Sequence, residues 1–382
     1  MRIVHTCLRY PPASGGVETY VQQIVEGTRD IDNMRDVRVL TSKLRTHGPL
    51  SLLNPEELLD DPPYVQRIHH LATPGISYPR LQALRYYLGH HQPDVIHGYS
   101  FWYQPADIAA RFAQQHRIPF IFHPLYYTNE VRRKLIWRLY KKLYGIHTFA
   151  AADVVVVISP YEQSLLAHEG FPLKRCVLIP PGIDTGAYTR SRSNPYQFDP
   201  THPVLLAVSR LAPGKGLDEL IRVMPLVQRE HQTVQLVIIG EDFGARRSLM
   251  ALATSLDLTA TVHFWGKVTQ EKLIAAYQHA TLFIHPSHYE AFGIAVAEAE
   301  ACRTPVIARN STALPFVAPH QQVGLLYSQP SDLVQAILTL LSRPTLRRQY
   351  GEAGLRHIQH NFSLGTTIKK MTNLYDELSQ SS

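Results

Sequence analysis

The sequence predicts an α/β protein made of two parallel-sheet domains, and three observations carry that expectation. The chain has 382 residues, more than one ordinary core organises. Short apolar runs that suit strands buried on both faces alternate with helix-period stretches, and the alternation occurs twice. Between the two series lies PPGIDTGAYTRSRSNPYQFDPTHP, a segment rich in Pro, Ser, Thr, Asn and Gly.

In the first series RIVHTC, VRVLT, DVIHGY, PFIFHP, DVVVVIS and RCVLIPPG read as strands. Helical spacing falls near 17–27, 79–91, 104–117, 131–145 and 160–169. In the second series PVLLAVS, VQLVIIG, TVHFWG, TLFIHP and TPVIA are strands, with helices near 217–230, 245–256, 270–279, 293–302 and 331–342. Strands separated by helices pair in parallel, because each crossover lays a helix on the sheet. The tail NFSLGTTIKKMTNLYDELSQSS places Ile368, Met371, Leu374, Tyr375 and Leu378 at helical spacing.

Composition narrows the function classes. Cys7, Cys176 and Cys302 are isolated from one another and have no C-x-x-C spacing, so neither a disulfide framework nor a zinc site is expected. No run of 18 or more apolar residues occurs, and MRIVHTCLRY enters a strand without a signal-peptide core. A cytoplasmic chain with no membrane span is the expectation. The net charge of +7 is concentrated: Arg132, Arg133, Lys134, Arg138, Lys141 and Lys142 lie within 131–147 without an acid. Without those six, the 38 basic residues fall to 32 against 31 acidic ones. A nucleic-acid binder spreads basic residues over a face with base-stacking aromatics, so nucleic acid is not an expected partner.

Parallel sheets bind ligands at the carboxyl ends of their strands, and four places there hold suggestive residues. After the first strand comes SGGVETYV, where Gly15 and Gly16 precede a helix; they allow backbone N–H groups to approach an anion, or simply meet a turn requirement. After PVLLAVS comes SRLAPGKG, where Arg210 and Lys215 supply the two fixed cations a diphosphate leaving group requires, unless they are incidental surface charges. His123 ends FIFH and can donate to a reacting sugar; His97 in DVIHGYS is its rival, and a structural histidine is the alternative for both. The fourth is PSHYEAFGIAVAEAEA, in which Glu290 and Glu298 flank a helix N-terminus. That terminus suits phosphate, so the two acids face something else, and sugar hydroxyls are the natural candidates.

The order GGVE, PPGID, SRLAPGKG, IIGED, FWGKV and PSHYEAFGIAVAEAEACRTPVIA resembles the retaining, nucleotide-sugar-dependent glycosyltransferases of family 4, with the GT-B fold. The resemblance implies two Rossmann-like parallel-sheet domains facing a central cleft, with a C-terminal helix crossing back to the first domain. The acceptor domain would take 1–186 with 364–382, and the nucleotide-sugar domain 187–363. Arg210 and Lys215 match the family's diphosphate-binding cations, and Gly15 and Gly16 the loop that closes on the donor phosphates. Glu290 matches the acid that holds the donor sugar, Glu298 the one that holds the ribose. Backbone groups of Phe292, Gly293 and Ile294 would meet sugar and phosphate, with His123 near the transferred sugar. The implied partners are a UDP- or GDP-linked sugar and a hydroxyl acceptor, lipid-linked or a polysaccharide precursor. No cofactor and no metal are implied, because the cations and the helix dipole stand in for a divalent ion. Front-face attack, assisted by a leaving-phosphate oxygen, would retain anomeric configuration through positioning and charge stabilisation.

The chain departs from the family pattern at Ala291, where Gly is frequent, at Arg303, where Gly normally ends the helix, and in STALPF. There Thr312, Ala313 and Phe316 replace two glycines and an acid. The segment VRRKLIWRLYKKLYGIH has two readings. Val131, Leu135, Ile136, Leu139 and Leu143 form an aliphatic arc, with Lys134, Arg138, Lys141 and Lys142 opposite. The favoured reading packs the arc on the first domain and leaves the cations in water. The other lays Arg132, Arg133, Lys134, Trp137, Arg138, Lys141 and Lys142 on an anionic membrane or acceptor surface. A nicotinamide oxidoreductase is disfavoured because SGGVETY lacks G-x-G-x-x-G. An epimerase on the same fold, or a non-catalytic sugar- and nucleotide-binding scaffold, stays open as an alternative.

Overall fold

The computed structural model describes residues 1–13, 15–31, 35–45, 51–71, 78–126, 135–199 and 201–380. The chain divides into two compact units, Met1–Gly182 with Gly365–Ser382, and Ile183–Leu364.

The first unit runs β1 (Arg2–Thr6), α1 (Gly16–Ile31), β2 (Asp36–Ser42), β3 (Val65–Ile68), β4 (His70–Leu71), β5 (Arg80–Leu81), α2 (Leu84–His91), β6 (Val95–Tyr99), α3 (Gln104–His116), β7 (Phe120–His123), α4 (Leu135–Tyr140), α5 (Ile146–Ala151), β8 (Val154–Val157), α6 (Pro160–His168) and β9 (Cys176–Leu178). Seven strands pair in parallel in the order β3-β2-β1-β6-β7-β8-β9. The order reverses between β1 and β6, the kind of switch point where such sheets open a crevice. The inner strands β6, β7 and β8 are buried throughout, as their largely apolar runs require, and β6 and β7 carry the buried histidines His97 and His123.

The second unit runs α7 (Thr185–Thr189), β10 (Val204–Val208), α8 (Leu217–Glu230), β11 (Gln235–Ile239), α9 (Arg246–Ser255), β12 (Val262–Gly266), α10 (Gln270–His279), β13 (Leu282–His285), α11 (Ile294–Ala301), β14 (Val306–Arg309), α12 (Leu314–Val317), β15 (Gly324–Tyr327), α13 (Pro330–Ser342) and α14 (Pro344–Asn361). Its six strands are parallel, in the order β12-β11-β10-β13-β14-β15, with the switch between β10 and β13. The last helix, α15 (Leu364–Gln380), belongs to the first unit and buries Ile368, Met371, Leu374, Tyr375 and Leu378. Ile368 nests against Gly27 of α1, where a Cβ would come within 2.6 Å of it.

One expectation needs correcting. The basic segment turns the other way from the favoured reading: Leu135 and Leu143 are 68% and 60% exposed, and Ile136, Leu139 and Ile146 are exposed too. Trp137 and Tyr140 are buried instead. The reason is a polar anchor. Buried Asp107 accepts hydrogen bonds from Tyr140 at 2.9 Å, Thr148 at 2.6 Å and Tyr78 at 2.6 Å, which selects the aromatic side. A π-helical stretch over Lys141–Gly145 then shifts the helical phase. Trp137 and Lys141 therefore leave the expected outer surface, and Lys141 bonds Glu169 at 3.0 Å. Arg138 and Lys142 stay exposed, whereas Arg132, Arg133 and Lys134 lie outside the described residues. Arg303, where the family has glycine, takes the left-handed conformation a glycine would, at φ 61° just after α11.

Candidate functional site

A polar cluster of the second unit is set by a backbone contact. After β10 the chain turns through Pro213, Gly214, Lys215 and Gly216, with φ 68° at Gly216. A Cβ there would lie 2.1 Å from the carbonyl oxygen of Pro286, so only glycine lets this loop press on the end of β13. Lys215 Nζ thereby reaches Glu290 Oε1 at 2.6 Å, with Ser287 Oγ at 3.4 Å. His285 Nε2 meets the same carboxylate oxygen at 3.1 Å. Burial pushes the Glu290 carboxyl up, but the hydrogen bond from His285 and the Lys215 ammonium outweigh it and hold the group at about 2.

Beyond Glu290 the chain enters α11 through Gly293, at φ 104° and without a side-chain cap. Val296 N and Ala297 N donate to the Gly293 carbonyl at 3.0 and 3.2 Å, and among the described residues no side chain caps the N–H groups of Ile294 and Ala295, which leaves those two for a ligand. A Cβ on Gly293 would come within 2.8 Å of Leu314. Phe292 is buried against Phe362 at 5.3 Å, so its ring holds the turn from behind and only its backbone is placed to meet a ligand. The STALPF segment touches the same turn: Thr312 Oγ1 accepts from Glu290 N at 3.0 Å. Thr312 itself has φ 50°, a left-handed conformation unusual for a β-branched residue and worth reading as functional strain.

Glu298 occupies a separate network. Tyr188 donates to its Oε1 at 2.6 Å and Tyr277 to its Oε2 at 3.0 Å, while Gln270 donates to the Tyr188 hydroxyl at 2.8 Å. Burial raises this carboxyl, and the tyrosine hydrogen bonds oppose the rise. Arg210 is exposed just beyond β10, its guanidinium 5.2 Å from the Phe243 ring centroid. The structure thus joins Lys215 to Glu290, and leaves Arg210 and Glu298 outside that contact. His285, Tyr188 and Tyr277 were not singled out in the sequence. A histidine closing a strand five residues before Glu290 was the available signal, lost among 20 histidines.

In the first unit Gly16 opens α1, and a Cβ on Gly15 would meet Glu18 Oε2 at 2.2 Å. Glu18 is buried and paired with Arg9 at 2.6 Å, so a carboxylate lies over the glycine turn. His123 closes β7 and is fully buried, edge-on to Tyr20 at 5.1 Å and stacked 5.6 Å from His97. Neither of its ring nitrogens has a hydrogen-bond partner, and burial lowers the imidazole to about 3. His97 is tied by Nδ1 to the hydroxyls of Tyr375 at 2.7 Å and Tyr99 at 3.0 Å. Among the described residues no group of three or more His, Cys, Asp or Glu side chains could hold a metal ion.

Two parallel-sheet α/β units, the second with a lysine-bound carboxylate before the start of α11, are the components of the GT-B fold. Residues 190–357 match the family of glycosyl transferases group 1 and residues 14–187 match glycosyltransferase family 4, and the chain belongs to this family. It is 33% identical over 189 residues to a D-inositol 3-phosphate glycosyltransferase of Segniliparus rotundus, covering 47% of this chain and 42% of that protein. A protein of the same description from Acidothermus cellulolyticus is 27% identical over 402 residues, covering 95% of this chain and 85% of its own. In most of the first curated relatives the match spans little more than half their length. The crystal structure of Anabaena HepE in complex with UDP and glucose superposes with a TM-score of 0.79 at 19% identity, over 99% of this chain and all of that one. That likeness is one of fold.

Proposed function

We propose that the protein transfers a sugar, with retention of anomeric configuration, from a UDP- or GDP-linked donor to a hydroxyl acceptor. The contact of Lys215 with Glu290 beside the uncapped N-terminus of α11 carries the reading. It sets a cation and free N–H groups, which suit a diphosphate, next to an ionised carboxylate, which suits sugar hydroxyls. Arg210 adds a second cation and Glu298 an acceptor for ribose hydroxyls, while Gly15 and Gly16 give a turn that would admit phosphate with the Glu18 carboxylate displaced from it. Backbone groups of Phe292, Gly293 and Ile294 line the approach. His123 serves the reacting sugar, for which its two unpartnered nitrogens speak. Lys215, Arg210 and the α11 dipole supply the charge stabilisation a divalent ion would otherwise give, so transfer proceeds without a metal. The chemistry is therefore positioning and leaving-group stabilisation.

The acceptor side is proposed to work at an anionic membrane surface, on a lipid-linked or polysaccharide-precursor acceptor. No described helix is long and apolar enough to cross a membrane. The exposed aliphatic row of α4 and its continuation, with Arg138 and Lys142 beside it, supports lying on one.

The experiment is nucleotide release and product mass across a panel of UDP- and GDP-sugars, with and without a chelator. Glu290→Gln and Lys215→Ala each lower donor turnover by about a hundredfold or more while the protein stays folded. A protein that binds no donor, or full activity in either variant, rules the reading out. Donor binding without nucleotide release would favour the scaffold alternative.

A further inference from the structure

We infer that His285 is a positioning residue that keeps the Glu290 carboxylate in place for the donor sugar when Lys215 turns to the donor's diphosphate. This rests on the proposed donor site.

Lys215 and His285 both address Oε1 of Glu290, at 2.6 and 3.1 Å. Among the described residues nothing donates to Oε2, which leaves that oxygen as the acceptor for a sugar hydroxyl. The two donors differ in mechanical character. Lys215 sits on a loop between two glycines, and its ammonium is a compact charge on a flexible stem. A diphosphate beside α11 competes for that charge. His285 is the last residue of fully buried β13, its ring packed 5.9 Å from Phe283 on the same face of the strand. It cannot follow the phosphate. When the ammonium leaves, the imidazole is the remaining hydrogen bond on Oε1.

The protonation pattern agrees with the geometry. Glu290, held at about 2, carries no proton to give, so the hydrogen in the contact belongs to His285 Nε2. His285 Nδ1 is buried and has no partner, which fits a ring whose one bonded nitrogen is committed to the carboxylate. A histidine kept only for packing would have no reason to aim Nε2 at the carboxylate beside the lysine, because an aliphatic side chain fills a buried strand end as well.

The test compares native protein, His285→Leu and His285→Gln, with UDP-glucose and GDP-mannose as donors and UDP and GDP as sugar-free probes. Leucine removes the hydrogen bond, and glutamine restores an N–H toward Oε1. His285→Leu is expected to lose roughly ten- to a hundredfold in kcat/KM for donor turnover. It lowers the melting temperature by a few degrees at most, since Lys215 still pairs with Glu290 in the free protein, and keeps the Kd for UDP or GDP within about twofold. His285→Gln recovers most of the turnover. Native turnover in His285→Leu overturns the inference, as does an equal loss in both variants with weakened UDP or GDP binding. If the native protein turns over neither donor, the donor-site reading falls, and this inference with it.

Discussion

Lys215 donates to Glu290 across 2.6 Å, joining the loop after β10 to the turn before α11. The residues are 75 apart in sequence, and each side chain is less than a fifth exposed. Removing one partner of such a pair strands the other charge. Lys215→Met should therefore cost about 1–3 kcal/mol in urea unfolding. Combining it with Glu290→Gln should cost less than the two single changes together, with a coupling of about 1 kcal/mol or more. Strict additivity would mean that the pair does not interact in solution.

The stacked histidines of the first unit give stability a slope with pH. Burial lowers His5 and His123 to about 3 and pushes His97 well below its ordinary value. Above about pH 6.5 these rings are neutral both folded and unfolded, so they add no pH dependence. Below it the unfolded chain takes up protons that the native state refuses, and stability falls as pH falls toward 3. Each histidine should contribute about 1.4 kcal/mol per pH unit. Glu290, held at about 2, adds loss in the same direction below its ordinary range. Denaturant unfolding between about pH 7 and about pH 5 measures the slope, and His5→Asn should flatten it by one proton. An unchanged slope in that variant would show that His5 is not a buried neutral ring.

Glu300 is fully buried on α11, and neither carboxylate oxygen has a hydrogen-bond partner. Gly354 of α14 lies so close that a Cβ there would be 3.2 Å from the Glu300 side chain. Burial raises this carboxyl well above its ordinary range. Between the carboxyl's ordinary value and its raised one the native state keeps a proton that the unfolded chain releases, so this group destabilises the fold as pH rises through that window. Glu300→Met, of similar volume and apolar, should raise stability by about 1–3 kcal/mol near neutral pH. A destabilised variant would point to a partner for the carboxylate in solution.

The inner strands were legible because they are mostly apolar; β6, β7, β8, β10 and β13 fall where their runs predict. The edge strands β3 and β15 were not. β3 is VQRI, with Gln66 and Arg67 half-buried at the margin of the sheet, and carries no continuous apolar signal. Helix α14 escaped for a related reason: PTLRRQYGEAGLRHIQHN holds two glycines that pack against α11, where helical spacing alone gives weak evidence. Glu290 and Lys215 could be named from motif order, but their contact depends on the approach of Gly216 to Pro286, which no local pattern encodes. The orientation of α4 was misread because the aliphatic arc outnumbers the aromatics. A single buried carboxylate, Asp107, reversed that choice by accepting hydrogen bonds from Tyr140 and Thr148 on the buried side of the segment.

That reversal leaves Leu135, Ile136, Leu139, Leu143 and Ile146 in solvent near Arg138 and Lys142. A soluble surface seldom keeps such a row without a partner. Full burial of one leucine is favourable by roughly 1.5–3 kcal/mol, and each cation near an anionic surface adds about 1 kcal/mol. The row and its cations should thus give binding that depends on both lipid charge and salt. The protein should sediment with vesicles of phosphatidylglycerol and phosphatidylcholine at low salt, and less with phosphatidylcholine alone. Leu139→Glu with Leu143→Glu should abolish sedimentation and leave donor turnover in solution unchanged, because both side chains are exposed and neither is among the residues proposed to touch the donor. Native protein that stays in the supernatant with both vesicle types would remove the membrane from the proposal and leave the exposed row as a surface for another protein.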